Sequence, residues 1–155
     1  MSKVPFKQRW FEDYEAGEVV ELGEYPVSQE EIIEFAKRYD PQTFHIDPEA
    51  AKESAYGGLI ASGWHTCAIM MRMLADGFVS EVASMGSPGL DELRWLAPVR
   101  PGDVLHGRIR VLETRRSSSK PDRGLVRLEQ EALNQRGEVV ARWVGWNIYR
   151  ARPAS

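Results

Sequence analysis

The 155-residue chain holds a single cysteine, Cys67, so no intrachain disulfide can form, and it contains no C-x-x-C pattern for zinc or redox chemistry. No apolar run approaches the ~20 residues of a membrane-spanning helix. Charge of one sign is also lacking: 20 basic against 23 acidic side chains leave a net −3, which argues against nucleic acid as the main partner. Lys3, Lys7 and Arg9 are not followed by an apolar segment, so no signal peptide is expected, and a cytoplasmic enzyme or binding protein is the default expectation. Repeats and low-complexity tracts are absent. A chain this long buries roughly 70% of its unfolded surface, enough for a core without staples. One domain over 1–155, with a core from about residue 10 to 149, is therefore expected.

What the chain does have is concentrated in Tyr39-Asp40-Pro41-Gln42-Thr43-Phe44-His45-Ile46-Asp47-Pro48. A carboxylate and an imidazole, the side chains most used to move protons near neutral pH, stand five residues apart in a link stiffened by two prolines. Upstream, Ser28-x-x-Glu31 is a capping box, and Ile32, Phe35, Ala36 and Tyr39 recur at helical spacing. That helix should end at Asp40, because Pro41 disfavours helical backbone in its predecessor. Asp47 and Pro48 supply an N-cap and a first-position proline for a second, short helix.

Small residues then lead from Tyr56 through Ser62-Gly63 into a helix expected over about 63–76. Trp64, Ala68, Met71, Ala75 and Phe78 mark one face, which Cys67 and Leu74 widen, while Ile69, Met70 and Met73 make other sides apolar; such a helix should be buried. Strands are expected over 18–27, 90–96, 104–113, 125–134 and 138–149, with a polar loop over 113–124. The last strand is apolar on both faces and belongs at the centre of a sheet or at an interface. Charge is unevenly spread. Residues 12–53 carry 13 acidic and 3 basic side chains, whereas residues 100–127 carry 8 basic and 3 acidic. The basic stretch is either a solvated strand face or a dock for a polyanionic small molecule. One strand, a helix pair, one long apolar helix and further antiparallel strands make an α+β chain whose sheet wraps the helix, a hot-dog arrangement.

From about Trp10 to Tyr149 the chain resembles the MaoC-like acyl dehydratases, the (R)-specific enoyl-CoA hydratase group. The resemblance rests on Asp40-x4-His45-x-Asp47, on Gly58-Leu59-Ile60-Ala61-Ser62-Gly63, and on the turn Pro98-Val99-Arg100-Pro101-Gly102-Asp103. Where the family often reads Asp-x-Asn-Pro-x-His, this chain has Gln42-Thr43, and the family's His-Gly at the helix entry is Ser62-Gly63. The resemblance implies reversible addition of water to a trans-2-enoyl-CoA, giving an (R)-3-hydroxyacyl-CoA. Asp40 and His45 would activate the water. The Gly63 N–H would receive the thioester oxyanion, and Ser62 would cap the helix or bind substrate or water. It implies no cofactor or metal beyond the coenzyme A thioester that is the substrate. It also implies a homodimer or dimer of dimers, with Arg115, Arg116 and Lys120 as candidates for the coenzyme phosphates. A hot-dog acyl-CoA thioesterase and a non-catalytic acyl-CoA-binding protein are the competing readings.

Overall fold

The structure, a computed structural model, describes residues 3–154. After two short 3₁₀ turns the elements run β1 (Val19–Pro26), α1 (Gln29–Tyr39), α2 (Thr43–Ile46), α3 (Pro48–Ala51), α4 (Gly63–Gly77), β2 (Glu92–Trp95), β3 (Val104–Arg116), β4 (Arg123–Leu133) and β5 (Val139–Arg150). The five strands form one antiparallel sheet in the order β1-β3-β4-β5-β2. Long α4 lies against its inner face, as the expected α+β arrangement requires. Strand β5 sits between β4 and β2, which explains why it is apolar on both faces. No helix among the described residues is long and apolar enough to cross a membrane.

Local chemistry sets the boundaries. The Ser28 side chain accepts from the Glu31 N–H at 3.1 Å and starts α1. Asp47 accepts from Glu49 and Ala50 and starts α3, with Pro48 at its first position. Inner-face side chains Leu105, Ile109, Val126, Leu128 and Ala132 are fully buried or nearly so, and Met70, Ile69 and Leu74 of α4 pack on them. Gly107 of β3 lets α4 come this close, since a Cβ there would meet the Met70 sulfur at 3.2 Å.

Two expectations need correction. The segment 113–124 is not all loop: Thr114, Arg115 and Arg116 pair with Val126, Leu125 and Gly124, leaving only a short connection. A register shift between Val111 and Glu113 breaks the alternation there, and it hides the rest of the strand from a period-two reading. The buried face of α4 also differs. His65, Thr66, Ile69, Met70, Met73 and Leu74 are buried, whereas Trp64, Ala68, Met71 and Ala75 are exposed. Both stripes are apolar, so the pattern shows two faces without saying which one meets the chain's own sheet.

The sheet's outer face pairs off part of the basic stretch. Arg108 pairs with Glu131 at 2.9 Å, Arg110 with Glu129 at 3.4 Å, and Arg142 reaches Glu129 at 2.7 Å. These are cross-strand partners on a solvated face.

His65 makes a pH prediction. It is buried on α4, stacks on Phe35 of α1 at 4.7 Å, and has Glu31 at 3.5 Å as its nearest carboxylate; Glu31 in turn accepts from Tyr25 of β1, and Arg72 lines the same cleft. Burial pushes its pKa below the ordinary value and outweighs the pull of Glu31. The unfolded chain therefore binds a proton at His65 more readily than the fold does. This cost is absent above the ordinary value of about 6.5 and grows as pH falls toward the folded value. A lower urea midpoint at pH about 5 than at about 7.5, with a smaller difference in His65→Leu, is the expected result. An unchanged difference in the variant would remove His65 as the cause.

Candidate active site

Three stretches build the site: the link after α1, the extended segment 59–62, and the first turn of α4. Backbone bonds fix the middle one. Ile60 N–H donates to the Phe44 carbonyl at 3.1 Å, and Ala61 N–H donates to the Val99 carbonyl at 2.8 Å. The segment then holds both proton-handling side chains from behind. His45 Nδ1 lies 2.7 Å from the Ile60 carbonyl. A carbonyl can only accept, so the ring proton sits on Nδ1 and Nε2 is left as an acceptor. Nε2 stands 3.3 Å from Asp40 Oδ2.

Asp40 is held just as closely. The Ser62 hydroxyl donates to Oδ2 at 2.7 Å, and the Gln42 amide donates to Oδ1 at 2.7 Å. Burial would raise the Asp40 pKa, but the bonds from Gln42 and Ser62 and the nearby His45 outweigh it and hold the carboxyl below its ordinary value. Asp40 is therefore a carboxylate at neutral pH. An ionised carboxylate oxygen and an imidazole lone pair thus face the same point, and both can only accept there. A water offered to the pair can give each of them an O–H.

Ser62 is fully buried and its hydrogen is committed to Asp40, while its oxygen accepts from the Trp64 N–H at 3.3 Å. It is the N-cap of α4 and a positioning residue for Asp40; the structure places it behind the carboxylate and not on the open side. Gly63, at the first helical position, lines the same pocket as Asp40 and His45, a cavity of about 540 Å³. Its N–H belongs to the first turn, which has no intrahelical acceptors, and has no partner among the described residues. The helix dipole adds partial positive charge at this point.

Sequence reading did not bring Trp64 and Trp95 together. Trp95 of β2 donates its Nε1–H to the Gly63 carbonyl at 3.0 Å and meets Trp64 edge-on at 5.1 Å; both line the pocket. No sequence signal links residues 63 and 95, which lie on a helix and an edge strand. Gln42, noted only as a departure from the family pattern, turns out to hold Asp40. Arg100 was also passed over. Its guanidinium donates to the carbonyl of pocket-lining Tyr56 at 2.7 Å.

Arg115, Arg116 and Lys120 do not line this pocket. Arg115 lies over the Trp146 ring, and Arg116 pairs with Glu12 at 3.0 Å. Leu125, the partner of Arg115, faces Ile148, whereas Trp95 faces Ala141 on the same strand β5. Seven residues of strand separate these positions, roughly 23 Å at ~3.3 Å per residue. Within one protomer the three side chains are therefore not part of the site, because the hairpin carries them to the other end of the sheet.

A family model described as MaoC like domain matches residues 13–132. The crystal structure of the MaoC-like dehydratase from Rhodospirillum rubrum superposes with a TM-score of 0.86 at 41% identity, covering 94% of this chain and 99% of that one. The uncharacterized protein YdeM of Bacillus subtilis is 28% identical over 126 residues, 81% of this chain and 87% of its own length. The 3-hydroxyacyl-thioester dehydratase Z of Mycobacterium tuberculosis is 33% identical over 90 residues, which is 56% of this chain and 60% of that protein. The chain belongs to the MaoC-like dehydratase family and has its hot-dog fold.

Proposed function

We propose that the site catalyses reversible hydration of a trans-2-enoyl thioester to the (R)-3-hydroxyacyl thioester. The observation that carries this reading is the Asp40–His45 pair, two acceptors 3.3 Å apart that open onto the pocket at the start of α4. The water oxygen bonds to the β carbon while its proton passes to the pair. The double-bond electrons move through the α carbon onto the thioester oxygen, which the Gly63 N–H and the helix dipole stabilise. The proton then returns to the α carbon as the carbonyl re-forms. His45 and Asp40 are the catalytic residues, and Ser62 and Gln42 position Asp40. The activity named for the M. tuberculosis relative is the reverse direction of the same chemistry.

Coenzyme A is the proposed carrier of the acyl group. Within the protomer Arg100, exposed beside Tyr56, is the cation best placed for its phosphates, in place of Arg115, Arg116 and Lys120. The test is to incubate the protein with trans-2-enoyl-CoA esters of graded length and to resolve products by mass and chirality. Gain of one water with a single enantiomer is expected. Release of free coenzyme A would replace this reading with a thioesterase, and saturable binding without turnover would replace it with a non-catalytic acyl-CoA-binding protein.

The exposed apolar stripe Trp64, Ala68, Met71 and Ala75, beside Trp95 and Leu96, supports a homodimer in which this face is covered. Ala68→Glu places a charge there, which Arg72 one turn on can meet only in competition with Asp76. It should raise the dimer Kd by at least about a hundredfold while the protomer stays folded, read as a shift to monomer mass in sedimentation. A variant that stays dimeric at low micromolar concentration would move the interface elsewhere.

A further inference from the structure

A second cavity, of about 250 Å³, shares Trp64 with the catalytic pocket and runs between α4 and the sheet. Cys67, Met71 and Leu74 line its helix side, and Leu128 and Trp143 line its sheet side. At about 30 Å³ per water-sized group it holds roughly eight of them. If the site acts on an enoyl thioester as proposed above, this is where the acyl chain lies, because it is the apolar space on the far side of Trp64 from the catalytic pocket.

Ser87, Gln130 and Asn147 in the wall do not suit an alkyl chain, and Gln130 is the most deeply buried of the three. Gln130 of β4 is 4% exposed, lines the cavity, and its amide has no hydrogen-bond partner among the described residues. The amide keeps contact with the open cavity and is not sealed off, but an alkyl chain lying against it would deprive it of any partner, a cost that leucine or methionine at this position would avoid. A polar side chain at this depth in an acyl site calls for an explanation. Its position in the sheet supplies one. Gln130 pairs with Trp143, which pairs with Leu93; two residues along, Ala132, Ala141 and Trp95 form the row whose indole lies on Gly63. The amide therefore sits about 7 Å along the strands from the row at the thioester end. That distance is a few bonds past the reacting carbons.

We propose that the acyl chain of the natural substrate carries a neutral oxygen function, a hydroxyl or a ketone, several carbons beyond the thioester, and that Gln130 hydrogen-bonds it. The amide can donate to either group and accept from a hydroxyl. A terminal carboxylate does not fit, since no lysine or arginine lines the cavity and a charge would be buried without a counterion. Gln130 is thus a specificity-determining residue for the reaction.

The test compares trans-2-enoyl thioesters of equal length that carry no oxygen, a hydroxyl or ketone at each carbon beyond the γ position, or a terminal carboxylate. For the wild-type protein, kcat/KM for the best hydroxy or oxo ester should exceed that for the alkyl ester by at least about tenfold, with the carboxylate poorest. Gln130→Leu should invert the first preference. The wild-type ratios decide the matter even if the variant fails to fold. Equal turnover of alkyl and oxygenated esters overturns this inference and leaves the hydratase reading standing; no turnover of any ester removes both. A folded Gln130→Leu that keeps the wild-type preference but loses the dimer also overturns it, since the amide then bonds across a subunit contact.

Discussion

Replacing Asp40 with asparagine is expected to lower kcat for enoyl-thioester hydration by about 10²–10⁴, with little change in KM. The substitution keeps the shape of the side chain and leaves Ser62 and Gln42 with hydrogen-bonding partners. What it removes is the negative charge and the second acceptor facing His45 Nε2 at 3.3 Å. Water then has one acceptor where it had two. His45→Gln should cost a similar factor for the complementary reason, and the double variant should be little worse than either, because the two groups act on one proton. Full additivity of the two losses would argue that they do separate jobs. The Asp40 titration supplies a further check. The bonds from Gln42 and Ser62 hold the Asp40 pKa down, so its carboxyl should stay ionised below the ordinary carboxylate range. Ser62→Ala removes one of them and should move that titration upward, read from the carboxyl signal by NMR. The same substitution removes the α4 cap, at a cost of about 1 kcal/mol. The depressed pKa also means that ionised Asp40 stabilises the fold at neutral pH, and this contribution is lost as pH falls through the folded value.

The parts of this site that were legible in the sequence are those written into local chemistry. Ser28, Pro41, Asp47 and Pro48 mark helix ends through caps and prolines, and the structure has those ends where expected. The rigid Asp40–His45 link could be read because its stiffness is local. The long-range contacts could not. Ile60 holds His45, Ser62 holds Asp40 across 22 residues, and Trp95 closes on Gly63 across 32, through pairings that no periodicity records. The extent of β3 was hidden by its register shift, and the buried face of α4 by the apolar character of both stripes. Charge clustering misled for a physical reason as well. Arg108 and Arg110 fall in a basic stretch of sequence but meet carboxylates of the neighbouring strand, so the excess charge is cancelled in space.

The same contacts divide the labour of the fold. The sheet and the buried face of α4 carry the core, while the link 40–47 and segment 59–62 carry the chemistry. These two stretches meet the rest of the molecule through a few directional bonds. Substitutions in the link should therefore change rate more than stability.

Gly63 is the exception, because both depend on it. Gly63→Ala is expected to lower kcat/KM by about 10²–10³ and also to destabilise the fold by about 1–3 kcal/mol. A Cβ at this position would lie 2.4 Å from Trp95 Cε2 and 2.6 Å from its Nε1, closer than atoms can approach. The indole cannot simply swing aside. Its N–H is bonded to the Gly63 carbonyl, its ring meets that of Trp64 at a steep angle, and its backbone is paired to β5. Either the indole leaves its place and gives up those contacts, or the first turn of α4 recoils and takes the Gly63 N–H with it. Alanine's better helix propensity, up to about 1 kcal/mol, offsets only part of this. A variant with wild-type turnover and melting temperature would refute the close packing of Trp95 on Gly63. Pairing the change with Trp95→Ala separates the two losses. Removing the indole relieves the clash, so stability should return relative to Gly63→Ala alone. Turnover that returns with it assigns the catalytic loss to displaced aromatic packing. A stable double variant that stays inactive, although Trp95→Ala alone is active, assigns the loss to a methyl group standing where the thioester oxygen must approach the helix.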